Sequence, residues 1–215
     1  MKKPQDTRDI RREYIAGQLS RKQLDTNPTR QFSHWMKDAV QANIKDPTCM
    51  TLATCGDDGM PSARIVLLKH HDESGFCWYT NYQSAKGNQI QQNPKASLLF
   101  YWHDLDRQVR ISGTVEKVSA ETSDHYFDTR PLDSRISAIV SQQSRPVDSR
   151  ETLLTQIEHQ NQATQDEKVS RPDYWGGYLL KPEEFEFWQG RQDRLHDRFC
   201  YSKDSDEWKI ERLAP

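Results

Sequence analysis

The sequence predicts a mainly β domain, a barrel with helices at its periphery. Three observations carry this. Short β-type runs bounded by turn residues recur from Cys49 to Arg212, helical spacing shows in few segments, and no strand–helix–strand alternation links them. With 215 residues the chain can bury one substantial core. We expect a single domain over 28–215, preceded by a flexible arm or lid over 1–27.

The arm is polar, carries Arg11, Arg12, Arg21 and Lys22, and has too few apolar residues to predict tight packing. Asn27-Pro28 opens a helix, since proline suits a first turn. Phe32, Trp35, Met36, Ala39 and Val40 then form an apolar stripe of helical period. A strand is expected at 50–55, followed by the hairpin-type turn Gly56-Asp57-Asp58-Gly59. The stretch 63–69 holds four consecutive aliphatics, the pattern of a strand buried on both faces. Strands at 76–80, 96–102 and 108–118 complete a meander, interrupted by a helix at 84–92 that Asn93-Pro94 ends. Helices are expected at 120–129 and 149–162, the second very polar. Late strands follow at 174–180, 185–189, 198–201 and 208–212.

The balance of 30 Lys+Arg against 32 Asp+Glu gives a formal charge of −2, which argues against a nucleic-acid-coating protein. No run of about 18 apolar residues predicts a membrane span. The opening residues lack the apolar region of a secretory signal. Cys49, Cys55, Cys77 and Cys200 are scattered without metal-ligand spacing, so no metal site is expected. We read them as reduced thiols of a cytoplasmic protein.

Four segments carry chemistry. In 187–199, Arg194, His196 and Arg198 recur at period two beside Trp188. On an extended backbone they share one side, with Leu195 and Phe199 anchoring the reverse. Such a row suits a planar anion, because arginine both forks onto phosphate and stacks on rings; a solvated strand face accounts for the same residues. Arg64 and Lys69 bracket Ile65, Val66, Leu67 and Leu68. Their five-residue offset puts them on opposite faces unless a bulge or the strand's end re-aims one. Tyr79 and Thr80 lead into Ser84-Ala85-Lys86-Gly87, a helix start whose N–H groups and lysine suit a phosphate, although Ser84 as an N-cap explains it too. Tyr126 and Arg130 share a helix face that Pro131 should terminate, with Ser134 available as the next N-cap. Together these clusters, in a near-neutral chain, favour a site for two phosphorylated small molecules.

The segments Arg11-Arg12-Glu13-Tyr14, 64–69, Tyr79-Thr80, Arg107-Gln108-Val109, 126–134, Gln143-Ser144, 187–199 and the closing Trp208-Lys209-Ile210-Glu211-Arg212-Leu213-Ala214-Pro215 resemble the pyridoxine/pyridoxamine 5′-phosphate oxidase family. The resemblance runs from Arg11 to Pro215. It implies a split β-barrel homodimer with FMN at the interface. It further implies oxidation of pyridoxamine and pyridoxine 5′-phosphates to pyridoxal 5′-phosphate by dioxygen. Carried over, Arg64, Ile65, Val66, Leu67, Leu68, Lys69, Tyr79, Thr80, Lys86, Gln108, Gln143, Ser144, Trp188 and Arg198 would hold FMN. Lys69, Tyr126, Arg130 and Ser134 would grip the substrate phosphate, Arg194 and His196 would act catalytically against the pyridine ring, and Arg11, Arg12 and Tyr14 would close over the substrate. One departure is Ala85, where relatives usually carry arginine; either FMN binds more weakly for it, or Lys86 and Arg64 suffice. Two other readings are a flavin reductase on the same barrel and a carrier of the phosphorylated vitamin that lacks flavin. Nicotinamide dependence marks the first and absence of yellow colour the second.

Overall fold

The structure, a computed structural model, describes residues 12–164, 169–205 and 207–215. In chain order the elements are α1 (Pro28–Gln41), β1 (Cys49–Cys55), β2 (Pro61–Leu67), β3 (His70–Asp72), β4 (Gly75–Asn81), α2 (Ala85–Gln92), β5 (Lys95–Trp102), β6 (Arg107–Lys117), α3 (Ala120–Thr129), α4 (Leu132–Val140), α5 (Arg150–Ala163), β7 (Trp175–Gln189), β8 (Asp197–Asp204) and β9 (Glu207–Leu213). The strands hydrogen-bond in the order β2-β1-β5-β6-β7-β4-β3, and β8 pairs with both β7 and β9. By contact density the chain forms two compact units, one of 48–98 with 111–183 and one of 1–47, 99–110 and 184–215. β5, β6 and β7 each pass from one unit into the other.

In the unit of 48–98 and 111–183, Met50, Leu52, Phe76, Trp78, Leu98, Ile111 and Leu180 are buried. β1 pairs antiparallel with β2, so that Leu52 faces Arg64 and Thr54 faces Ser62. β4 pairs with β7, placing Tyr79 opposite Gly177 and Thr80 opposite Gly176. Ser84 caps α2 by accepting from the Gly87 N–H, as the sequence predicts. Arg130 leaves α3 with an extended backbone, φ −76° and ψ 147°, as the following proline dictates.

The other unit is built on aromatic packing. Asn27 caps α1 by accepting from the N–H groups of Thr29 and Arg30. The α1 stripe then sets Phe32 4.9 Å from Phe100 and Trp35 5.2 Å from Phe187. Phe187 also meets Tyr201, whose hydroxyl donates to the Asp25 carbonyl at 2.7 Å.

Several expectations are corrected. β2 is an edge strand with alternating exposure rather than a strand buried on both faces; Ile65 and Leu67 are exposed because they face an open cavity described below. Val40 drops off the α1 stripe and is exposed. β7 is one strand where the sequence suggests two. Its polar middle, Lys181 and Glu183, forms ion pairs with Glu116 and Lys95 in place of apolar burial. α4 is an additional helix; Pro131 holds its cap position and Ser134 lies inside its first turn. Residues 12–27 are tied down more closely than their composition predicts. Leu19 and Leu24 are buried, and the Leu19 N–H donates to Asp197 at 3.0 Å. Bonds from backbone to side chain, invisible to an apolar count, do that holding.

Candidate active site

The unit of 48–98 and 111–183 contains an open cavity of about 680 Å³. Arg64, Ile65, Val66 and Leu67 of β2 line one wall, Tyr79 and Thr80 come from the end of β4, and Lys86 from the first turn of α2. β2 stops at Leu67, and the Lys69 N–H donates to the Cys77 carbonyl at 2.9 Å. That strand end is what turns Lys69 into the same cavity as Arg64. Tyr126, Arg130, Pro131 and Ser134 of the α3–α4 junction, Gln143 and Ser144 of the following loop, and Trp175 complete the lining.

The cations here have neutral neighbours. Arg64 donates to the Leu52 carbonyl at 3.1 Å, to the Thr54 hydroxyl, to Ser62 at 2.8 Å and to Gln89 at 3.1 Å. The Lys86 ammonium, in a side chain only 8% exposed, donates to Gln143 at 2.8 Å, Thr80 at 3.2 Å and Ser84 at 3.3 Å. Thr80 donates to the same Gln143 oxygen at 3.0 Å. Among the described residues no carboxylate pairs with Arg64, Lys69, Lys86 or Arg130. Burial, and secondarily the charge of Arg64, lowers the Lys86 ammonium to about 8, and burial lowers the Arg64 guanidinium as well. A buried cation without a counter-ion is costly, so an anion entering this cavity would be stabilised.

Its aromatic wall is equally ordered. Tyr79 stacks on Tyr126 with centroids 3.7 Å apart and on Trp175 at 5.6 Å. Arg130 lies over the Trp175 ring at 4.6 Å, and its Nη1 is buried without a hydrogen-bond partner. Burial raises the Tyr126 phenol against the opposing pull of Arg130. An orphaned guanidinium nitrogen beside a phenol and the Ser134 hydroxyl is a ready set of donors for an oxyanion.

The other unit gathers the remaining expected residues. His196 lies 4.6 Å from Trp188, and the Tyr14 ring stands edge-on to both, at 5.2 Å and 5.6 Å. The guanidinium groups of Arg12 and Arg194 lie over Tyr14 at 4.6 Å and 5.4 Å. His196 Nδ1 accepts from the Arg191 N–H at 3.1 Å, leaving Nε2 to carry the proton of the neutral ring. Burial first, then Arg194, lowers the imidazole from its ordinary value. The strap bearing Arg12 and Tyr14 is latched to Asp106, which accepts from the Ile15 and Ala16 N–H groups and pairs with Arg12 at 2.6 Å.

The period-two row is only partly realised. Residues 192–194 form a 3-10 turn, with Asp193 and Arg194 at φ 54° and 60°, and the strand starts at Asp197. Leu195 is therefore exposed instead of anchored, whereas Phe199 is buried as expected. Arg198 is held by Glu186 at 2.8 Å and by the Ala214 carbonyl. Leu68 is buried and does not line the cavity; Gln108 sits half-buried on β6 in the unit of His196. Arg11 lies outside the described residues. Sequence reasoning missed Thr54, Ser62 and Gln89 around Arg64, Trp175 under Arg130, and the Asp106 latch. Apart from the Gly176-Gly177 that follows Trp175, no local signal marks them.

Known proteins resemble this chain along nearly its whole length. The description pyridoxamine 5′-phosphate oxidase matches residues 36–162, and pyridoxine 5′-phosphate oxidase C-terminal dimerisation region matches 175–215. The chain belongs to the pyridoxamine 5′-phosphate oxidase family. A pyridoxine/pyridoxamine 5′-phosphate oxidase of Gloeothece citriformis is 50% identical over 98% of this chain and 99% of its own. One of Burkholderia lata is 51% identical over 96% and 98%. Among solved structures, PhzG of Burkholderia lata in complex with tetrahydrophenazine-1-carboxylic acid superposes with a TM-score of 0.85 at 29% identity, covering 90% of this chain and 95% of that one. A pyridoxamine 5′-phosphate oxidase-related, FMN-binding protein of Nostoc punctiforme shares the fold, with a TM-score of 0.73 at 18% identity over 89% and 100%. The expected fold class, a mainly β split barrel with peripheral helices, is the one found. The dimerisation region at the C-terminus supports the expected homodimer.

Proposed function

We propose that this chain oxidises pyridoxamine 5′-phosphate and pyridoxine 5′-phosphate to pyridoxal 5′-phosphate in vitamin B6 metabolism of the cytoplasm. FMN is its cofactor and dioxygen the final acceptor, giving hydrogen peroxide and, from the amine, ammonia. One observation carries the reading: a single cavity holds four cations, Arg64, Lys69, Lys86 and Arg130, with no carboxylate partner among the described residues, beside stacked aromatic rings. Two phosphate monoesters and a flat ring system answer that demand.

The residues fit FMN, because the buried Lys86 ammonium and the Arg64 guanidinium need a dianion. Arg64, Lys86, Thr80, Gln143 and Ser144 would hold it, with Ile65, Val66 and Leu67 against the ring. Bound FMN supplies the hydride acceptor, which no side chain can provide, and hands electrons to dioxygen. Lys69, Tyr126, Arg130 and Ser134 clamp the substrate phosphate, and this remote binding fixes the reacting carbon in place. Arg194 covers the pyridine face, and His196 donates from Nε2 to a ring substituent. Arg12 and Tyr14 exclude water as the strap closes. The homodimer, with FMN at its interface, would bring the residues of the second unit, Gln108, Trp188 and Arg198 among them, to the cofactor.

Aerobic incubation with each phosphorylated vitamer, following aldehyde and peroxide together, tests the reading; equal amounts of both products are expected, and aldehyde without peroxide would defeat it. Arg130→Ala should raise KM for the phosphorylated vitamers by about tenfold or more and leave unphosphorylated ones little changed. Equal effects on both would remove Arg130 from the clamp. The likeness to PhzG favours a second reading, oxidation of a polycyclic carboxylic acid. Turnover of such an acid but of neither vitamer would decide for it.

A further inference from the structure

The surroundings of Arg64 hold a residue with no assigned role. Gln89, on α2, presents its Oε1 to two donors, Arg64 Nη2 at 3.1 Å and the Thr54 hydroxyl at 2.6 Å. A guanidinium only donates, so the amide must turn its oxygen toward Arg64. Thr54 also accepts from Arg64 Nη1, which closes a three-membered hydrogen-bonded ring of Arg64, Thr54 and Gln89. Ser62 and the Leu52 carbonyl take further guanidinium protons. The fork of Arg64 is thus fixed from β1, β2 and α2.

A glutamate at 89 would fill the same volume and would turn the Arg64 hydrogen bond into a full ion pair. It would also cancel the charge of Arg64. Lys86 shows the same arrangement, with the Gln143 amide where a carboxylate would fit. We infer that Gln89 is a positioning residue for anion capture: it orients Arg64 through a neutral oxygen and so reserves the full guanidinium charge for the incoming phosphate. This rests on the reading that Arg64 and Lys86 take the phosphoryl group of FMN.

The test uses the full chain stripped of flavin, titrated with FMN by fluorescence quenching and with inorganic phosphate by thermal shift. Gln89→Glu should raise the FMN Kd about tenfold or more and shrink the shift given by phosphate. The flavin-free variant should melt no lower than its parent, because the new carboxylate relieves a buried cation. Gln89→Met, uncharged and of similar length, should raise Kd by no more than about threefold. Ser62→Asp brings a negative charge to Arg64 from β2 and should weaken FMN in the same direction, which keeps the test open should Gln89→Glu fold poorly. Unchanged FMN affinity in both acidic variants, or a loss in Gln89→Met as large as in Gln89→Glu, overturns the inference. Arg64→Met separates loss of the Arg64 phosphate contact from loss of the Gln89 effect. Parental affinity in that variant removes Arg64 from the phosphate site altogether, whereas weakened binding there with parental affinity in the acidic variants removes only the role of Gln89.

Discussion

Lys86 has a titration within reach of ordinary experiments. Its ammonium is lowered from 10.5 to about 8 by burial and by the neighbouring Arg64 charge. The unfolded chain therefore binds more protons between about 8 and 10.5, and this group makes the ligand-free protein more stable as pH rises across that window. Below about 8 the cost of the buried charge is fully present. Anion binding has the opposite dependence. A phosphate monoester is already a dianion above about pH 7, so loss of the Lys86 proton is the main change as pH climbs further. FMN should bind more weakly at pH 9 than at pH 7, and Lys86→Met should flatten that dependence. A wild-type Kd constant over this range would show that the ammonium does not face the phosphate.

At the scale of elements, the strap of residues 12–18 is held by one strand end and one turn. The Gly190 N–H donates to the Asp106 carbonyl at 2.7 Å, and Gln189 donates to the Leu105 carbonyl at 3.0 Å, fixing the turn that carries the latch. Gly190 also permits close approach: a Cβ there would stand 2.7 Å from Tyr14 and 2.9 Å from Asp106. Gly190→Ala must displace Tyr14 or the Asp106 turn. We expect faster tryptic cleavage at Arg12 and Arg21 and altered Trp188 fluorescence, with the FMN Kd changing less than KM for substrate. Parental proteolysis rates would mean that Tyr14 is not pinned through this contact. β7 has a similar restriction at its other end, where a Cβ on Gly177 would stand 2.6 Å from Val118 and 2.9 Å from the Tyr79 ring. The missing Cβ of Gly177 is what lets the Tyr79 ring approach β7 this closely.

For the whole molecule, the expected site residues divide between two units, with the anion cavity in one and Trp188, His196 and Arg194 in the other. On the proposed function, a homodimer with FMN at its interface would offer each cavity the second set from the partner. Two inactive variants, Arg64→Met and His196→Ala, should then complement each other. Random exchange of subunits would restore about a quarter of parental activity, measured after mixing and refolding. No recovery above either variant alone would mean that each chain completes its own site. The sequence by itself determined the strand-rich class, the α1 cap at Asn27-Pro28 and the end of α3 before Pro131, because each of these depends on neighbours a few residues away. Only the tertiary structure decided that β2 is an edge strand, that its end swings Lys69 into the cavity of Arg64, and that residues 192–194 turn instead of extending. It alone placed Gln89 and Thr54 on Arg64 and Asp106 on the strap. Those contacts join residues 10 to 91 positions apart, where side-chain pattern carries no information and pairing, packing and solvent exposure decide.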